Sequence, residues 1–158
     1  MKKVISLINE INFLCDSLNK EIIKCEVKCL LEGVKRAPDQ DKLNWVQELK
    51  IKSREPEYLN ELLSLYSFEV LLELMKHKDV VIVAFSTHIL KKMILASTEL
   101  DLDAVVSFAL EMANQENLFC QASAVELLKL LSKKPKYTKS IEDFLLLRNI
   151  NVCCQAIL

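Results

Sequence analysis

The chain has 158 residues, among them one glycine and three prolines, and its formal net charge is −1. So few turn-forming residues argue against an all-β domain, and the lack of a glycine-rich loop excludes the common phosphate-binding turns. A nearly neutral chain also has no overall field that would attract it to nucleic acid or anionic lipid. The length is that of one domain, so we expect a single all-α domain over residues 1–158.

The first segment predicts one long helix over residues 2–34, or two helices that break near Asp16. Its apolar residues recur at alternating steps of four and three, which is the heptad spacing of a helix–helix seam. The seam consists of Val4, Ile8, Ile11, Cys15, Leu18, Ile22, Cys25 and Cys29. Other apolar residues, among them Phe13 and Leu30, widen the stripe. This width favours packing against the following helices over a dimeric coiled coil.

We expect residues 1–55 to form an N-terminal helical cap. Gly33 and Pro38 are stop signals that predict the end of the first helix. A short helix is expected to follow from Asp41. Pro56 then fits the first turn of the next helix, where a missing N–H group is harmless.

Three helix pairs are predicted over residues 56–158. The expected helices cover 57–78 in one or two pieces, 80–96, 104–113, 118–131, 141–147 and the residues after 151. Asp79 and Ser140 each stand directly before an apolar helical pattern, so both are predicted to be helix N-caps.

A weak internal repeat supports this pairing. The segment NLFCQA at 117–122 returns as NVCCQA at 151–156, which is 34 residues later. A shift of 37 residues also aligns the first pair with the second and places Leu90 on Leu127. Periods of this length are typical of helical solenoids, which mostly bind other macromolecules.

Over residues 58–158 the pairs resemble armadillo and HEAT repeats. The resemblance rests on the length of each pair, on a polar residue at the turn within it and on a small residue near the start of its second helix. These residues are Asp79, Glu116 and Asn151 at the turns, and Ala84, Ala122 and Ala156 in the helices. The armadillo glycine and the frequent HEAT proline are missing, so the subtype stays open.

The resemblance implies a right-handed helical-repeat solenoid of about three helix pairs, preceded by the N-terminal helical segment. Terminal solenoid repeats usually have a polar outer face. Here the last pair stops in mid-helix at the apolar residues 156–158. This ending predicts that the chain is a fragment of a longer protein or that another chain covers it.

All six cysteines lie in apolar or amphipathic runs, which predicts buried thiols in a reducing compartment. They are Cys15, Cys25, Cys29, Cys120, Cys153 and Cys154. The apolar stretch after Lys3 is interrupted by polar residues, so no signal peptide is expected, and no uncharged stretch is long enough to cross a membrane. We therefore expect a cytoplasmic or nuclear protein.

No group of residues predicts catalysis, a metal or a cofactor. Cys25 and Cys29 share a helix face but lack the close paired spacing of strong zinc sites. His77 lies between two lysines at a helix end, where a cation complements the helix dipole. Because nothing supplies a nucleophile, a base and an oxyanion donor together, the sequence predicts a protein without enzyme activity.

In the armadillo and HEAT families the second helix of each repeat lines a concave surface, and the resemblance therefore implies one here. The residues it nominates are Thr87, His88, Lys91 and Lys92 from one pair, and Gln121, Glu126 and Lys129 from the next. A partner helix or extended peptide is expected to bind across them. The expected function is that of a protein–protein interaction scaffold.

Two alternatives stay open. Lys133, Lys134, Lys136 and Lys139 surround Tyr137 and would contact phosphates if the solenoid bound nucleic acid. The heptad seam would instead make the chain a dimerisation module, and the apolar C-terminal end offers a second route to a homo- or hetero-oligomer. No membrane partner is expected.

Overall fold

Eight α-helices and no strand make up the described part of the computed structural model, which covers residues 1–65 and 67–147. The helices are α1 (Lys2–Arg36), α2 (Asp39–Lys52), α3 (Pro56–Ser64), α4 (Phe68–Leu74), α5 (Val80–Ala96), α6 (Asp103–Ala113), α7 (Leu118–Leu131) and α8 (Pro135–Leu147). The predicted all-α class is thus confirmed. None of these helices is both long and apolar enough to cross a membrane.

Two rows of helices enclose one apolar core. In the first row α5 packs between α2 and α7, and in the second row α6 contacts both α4 and α8. The rows meet through contacts of α4 with α5 and of α6 with α7, while α1 and α3 contact each other beside α2 and α5. The core is continuous from Val27 of α1 to Ile141 of α8. Burial of such a core supplies most of the free energy that stabilises a helical domain.

Side-chain caps set where α5 and α7 begin. The Asp79 carboxylate accepts a hydrogen bond from the Val81 N–H at 2.9 Å, as its sequence position predicts. The Asn117 side chain does the same for α7, accepting from the N–H groups of Phe119 and Cys120. The cap of the second pair is therefore Asn117, one residue beyond the aligned Glu116.

This offset changes the spacing between α5 and α7. The caps Asp79 and Asn117 are 38 residues apart. At that spacing, five buried positions of α5 fall on five buried positions of α7: Ser86, Thr87, Ile89, Leu90 and Met93 fall on Ala124, Val125, Leu127, Leu128 and Leu131. The predicted shift of 37 residues is thus one residue short, and Leu90 corresponds to Leu128.

The first helix ends at Arg36 and not at Gly33, because its real stop is Pro38. Ala37 has an extended backbone (φ −61°, ψ 138°), the conformation that a following proline favours. Gly33 lies inside α1, where it does not end the helix. A glycine is needed at this position because a Cβ atom would overlap the Trp45 ring of α2. The glycine allows α1 and α2 to approach each other closely.

The predicted N-cap at Ser140 is wrong, since α8 already begins at Pro135. Ser140 lies within the helix, and its hydroxyl donates to the Tyr137 carbonyl oxygen at 3.3 Å. Tyr137 is buried, and its phenolic oxygen accepts a hydrogen bond from the Leu102 N–H at 2.9 Å. This tertiary contact holds the first turn of α8 in place. The helix predicted after Asn151 lies outside the described residues.

Only the last third of α1 packs on the domain. Its buried residues are Val27, Leu30, Leu31 and Val34, whereas residues 1–22 are all exposed. The expectation that the whole apolar stripe packs against the following helices is therefore wrong. The thiols follow the same pattern, because Cys15, Cys25 and Cys29 are exposed rather than buried. Cys120 is partly buried, and the other two cysteines lie outside the described residues.

Candidate protein-binding surface

The exposed stripe of α5 follows from its helical period. Eight of its residues are buried and face the neighbouring helices. Among the residues left at the surface, five follow the steps of three and four that one face of an α-helix requires: Ala84, His88, Lys91, Lys92 and Leu95. Three of the nominated binding residues thus lie side by side on one helix face.

The facing stripe of α7 meets this face directly. Glu126 and Lys129 are both half-exposed on α7. The Lys91 ammonium lies 3.1 Å from a carboxylate oxygen of Glu126, so the two helices are joined by an ion pair at the surface. The structure therefore brings together residues from two predicted helix pairs, as the nominated surface requires.

A cleft of about 260 Å³ opens between the two stripes. Its lining residues are Ala84, Thr87, His88, Lys91, Phe119, Ala122, Ser123 and Glu126. The small side chains of Ala84, Ala122 and Ser123 leave this space open between the helices. Pockets for drug-sized ligands usually measure roughly 300–1,000 Å³. The cleft is smaller, and its size suits one side chain of a bound peptide.

Two nominated residues contribute less surface than expected. Thr87 is 4 % exposed, and its hydroxyl donates to the Val83 carbonyl oxygen within α5. The Gln121 side-chain amide donates to the Gln115 carbonyl oxygen of the preceding turn. Thr87 therefore forms part of the cleft wall, whereas Gln121 is not among the residues that line the cleft.

Cations from the end of α2 and the turn after it extend the positive charge beyond the nominated residues. Lys50 lies in the last turn of α2 and Arg54 in the following turn, and α2 packs against α5. The Lys50 ammonium also stands 4.3 Å from the centre of the Phe85 ring, a cation–π contact that fixes its position. We name Lys50, Arg54, His88, Lys91 and Lys92 the cationic surface.

His88 reports the electrostatic character of the cationic surface. Its pKa is lowered from the usual 6.5, first by partial burial and then by the positive charges of Lys92, Lys50, Lys91 and Arg54. Three lysines of α2 and α5, together with Arg54 in the turn after α2, thus act on one imidazole. The sequence alone does not place Lys50 and Arg54 on this surface, because the pairing of α2 with α5 is a tertiary contact between separate segments.

The lysine-rich segment around Tyr137 is largely engaged within the fold. Lys134 donates to the Ser97 carbonyl oxygen at 2.6 Å, and Lys136 lies 3.1 Å from a carboxylate oxygen of Asp103. Tyr137 is 6 % exposed, so its ring is not available for stacking on a base. Lys133 and Lys139 are the two exposed members of the segment that carry no such contact in residues 1–65 and 67–147.

A larger cavity of about 580 Å³ lies where α1, α2 and α4 meet. It contains both signs of charge, since Lys35, Lys42 and Lys76 stand beside Glu69 and Glu73. This balance of charge gives the cavity no clear preference for an anionic or a cationic partner.

His77, at the edge of this larger cavity, serves a structural contact. Its Nδ1 accepts a hydrogen bond from the Asp79 N–H at 3.0 Å, and its Nε2 faces the Asp39 carboxylate at 3.3 Å. The hydrogen bond between the His77 ring and the Asp39 carboxylate is the main cause of the lowered pKa of Asp39. His77 thus joins the turn before α5 to the start of α2.

Among the described residues, no group of three or more His, Cys, Asp and Glu side chains could hold a metal ion. No protein-family model matches the sequence, and no curated protein or solved structure is significantly similar to it.

Proposed function

We propose that this chain is a non-catalytic helical-repeat scaffold that binds an acidic helix or extended peptide across α2, α5 and α7. The observation that carries the proposal is the cationic surface, where four positive side chains surround His88 and only Glu126 opposes them in the adjoining cleft. Carboxylates of a partner complement such a surface, and complementary charge gives both steering and specificity.

The arrangement of helices supports a solenoid of armadillo or HEAT type. The second helices α5 and α7 share a side-chain cap and a buried pattern at a spacing of 38 residues, close to the roughly 40–47 residues of these repeats. The row formed by α2, α5 and α7 then corresponds to the inner row of a solenoid. A long peptide crossing this row would meet the Lys91–Glu126 pair and the cleft between α5 and α7.

The exposed thiols of α1 support a reducing location as part of the proposal. Cys15, Cys25 and Cys29 are unpaired and exposed, and such thiols persist where glutathione keeps them reduced. We therefore assign the scaffold to the cytoplasm or the nucleus.

The binding test uses peptides selected from a random displayed library on the full chain. We expect the selected peptides to be rich in Asp and Glu and to lose at least about tenfold in affinity when Arg54→Glu and Lys92→Glu are combined. These two cations are chosen because neither has an ion-pair partner among the described residues. Calorimetric titration of each peptide measures the change.

The matched control carries Lys133→Glu and Lys139→Glu, which change the net charge by the same amount on another surface. Retained peptide affinity in this control, with equal melting temperatures for both variants, supports the assignment. The proposal is overturned if the selected peptides are not acidic, or if both variants bind them as the parent does. It is also overturned if the parent chain binds a labelled single-stranded oligonucleotide in place of peptides and only the Lys133→Glu, Lys139→Glu variant loses that binding.

The pH dependence of peptide binding is a further expected result. Carboxylates of the peptide beside His88 oppose the causes that lower its pKa, so His88 has a higher pKa in the complex than in the free protein. Binding is then coupled to uptake of a proton by His88, and the complex is favoured as pH falls. Peptide affinity should therefore rise severalfold between about pH 7.5 and about pH 5.5, the range in which histidine titrates.

His88→Gln provides the control for this pH effect, because the amide keeps a polar side chain without a titrating group. In this variant the affinity should be almost constant over the same pH range. A pH dependence that persists unchanged in His88→Gln would assign the proton uptake to another group and would contradict the prediction.

A further inference from the structure

The heptad seam of α1 is exposed along its whole length. Its apolar members Val4, Ile11 and Leu18 are 58 %, 51 % and 62 % exposed, and the cysteines at 15, 25 and 29 are exposed too. From residue 4 to residue 29 the seam runs for about 38 Å at 1.5 Å per residue. No described part of the chain covers it.

The domain docks on the opposite side of the same helix. When the seam residues are assigned to heptad positions a and d, with Ile8 at a and Ile11 at d, the four buried residues fall at b, c and f. These four are Val27, Leu30, Leu31 and Val34. Positions b, c and f form the outer face of a two-helix coil. Attachment of the domain therefore leaves the whole seam accessible to another helix.

We propose that the seam pairs with the α1 helix of a second copy of this chain. A seam with a period of 3.5 residues packs against a helix with the same period, and α1 has that property itself. Isoleucine at position a with leucine at position d favours two-stranded coils, and Ile22 with Leu18 has this pattern. Ile8 with Ile11 has isoleucine at both positions, a pattern that by itself favours more than two strands.

Charge also permits this self-pairing. The e and g positions beside the first part of the seam hold no charged side chain; they are Ile5, Leu7, Asn12, Leu14 and Asn19. Two copies therefore meet no like-charge repulsion over this stretch, and Leu7 and Leu14 widen the apolar contact. Further along, the flanking positions hold Glu21, Glu26 and Lys28. Glu26 accepts a hydrogen bond from the Tyr58 hydroxyl of its own chain and lies 3.9 Å from Lys52, which reduces its repulsion of Glu21 in a second copy.

The available area matches what a dimer needs. Burial of one large aliphatic side chain removes about 60–120 Å² of apolar surface from water. Seven such side chains per copy lie on or beside the seam before residue 23: Val4, Leu7, Ile8, Ile11, Leu14, Leu18 and Ile22. Two copies together would bury about 800–1,700 Å², and the exposed cysteines add to this value, whereas stable interfaces begin at about 1,200 Å².

Pairing would also account for the persistence of an exposed helix. Helices in proteins take most of their stability from the packing of an apolar face. Residues 1–22 have no packed face in the described part of the chain. A second copy supplies that packing without changing the domain.

The test measures the mass of the full chain by sedimentation equilibrium over a concentration series under reducing conditions. We expect a dimer, and we expect its dissociation constant to rise at least about a hundredfold when Ile11→Glu and Leu18→Glu are combined. The matched control combines Ser6→Glu with Phe13→Glu, which adds the same charge at two exposed f positions. This control should remain dimeric.

Three results would overturn the proposal: a monomeric parent chain at all concentrations, an undiminished dimer of the Ile11→Glu, Leu18→Glu variant, or equal loss of the dimer in the control. Because the substituted residues are exposed, both variants should keep the melting temperature of the globular part. If the variant with Ile11→Glu and Leu18→Glu does not fold, a variant with Ile11→Asn and Leu18→Asn takes its place, and the same outcomes apply to it. Peptide binding to the cationic surface is measured separately, so failure of either proposal leaves the other distinguishable.

Discussion

Leu90→Ala and Leu128→Ala should each lower the free energy of unfolding by about 2–5 kcal/mol. Both leucines are 0 % exposed and occupy corresponding positions on α5 and α7 at the spacing of 38 residues. Each truncation removes apolar burial and leaves a cavity between the two helix rows, which cannot fully collapse. Chemical denaturation monitored by helical circular dichroism measures both effects.

The controls are exposed leucines on the same two helices. Leu95 is 66 % exposed on α5 and Leu118 is 73 % exposed on α7. Their replacement by alanine removes the same atoms without creating a cavity, so we expect changes within about 0.5 kcal/mol. Leu127 is also 0 % exposed on α7. If Leu127→Ala and Leu128→Ala lowered the free energy of unfolding no more than Leu118→Ala does, the buried pattern assigned to α7 would be wrong.

Gly33→Ala should destabilise the protein by about 1–3 kcal/mol, although alanine is the better helix former. In an exposed helix this substitution usually stabilises by about 0.5–1 kcal/mol. Here the added Cβ would overlap ring carbons of Trp45, so α1 and α2 must separate or the indole must move. The steric effect is the larger of the two, and the sign reverses.

A double-mutant cycle separates these two contributions. In a Trp45→Leu background the ring is absent, and Gly33→Ala should then be neutral or stabilising. Equilibrium unfolding of the four chains gives the coupling energy between the two positions. An increase in stability from Gly33→Ala in the parent chain would mean that the indole moves without difficulty and would contradict the prediction.

Local signals in the sequence predicted several features correctly. Asp79 precedes an apolar helical pattern, and its carboxylate does cap α5. Pro56 fits only the first turn of a helix, and it occupies that turn in α3. Such features depend on neighbouring residues alone, since a cap or a proline acts within one turn of the chain.

Long-range contacts account for the wrong predictions. Ser140 has the chemistry of an N-cap, but Tyr137 is held by the distant Leu102 and α8 begins before it. Gly33 is a helix stop by its residue type, yet it lies within α1 because Trp45 packs against it. A local pattern cannot show which distant segment will contact a residue.

The candidate surface combines both kinds of information. The helical period of α5 alone places His88, Lys91 and Lys92 on one face. Their pairing with Glu126 and the approach of Lys50 and Arg54 depend on how α2, α5 and α7 pack. Because electrostatic effects fall with distance, only this packing makes the local charge positive in a nearly neutral chain.

The sequence by itself determined the all-α class, the Asp79 cap of α5 and the heptad period of α1, because each depends on residues within a few turns. The tertiary structure decided which apolar stripe is buried. Val27, Leu30, Leu31 and Val34 enter the core, whereas the seam from Val4 to Cys29 stays exposed. Periodicity shows that a helix has an apolar face, but only the positions of the other helices determine whether the same chain covers it.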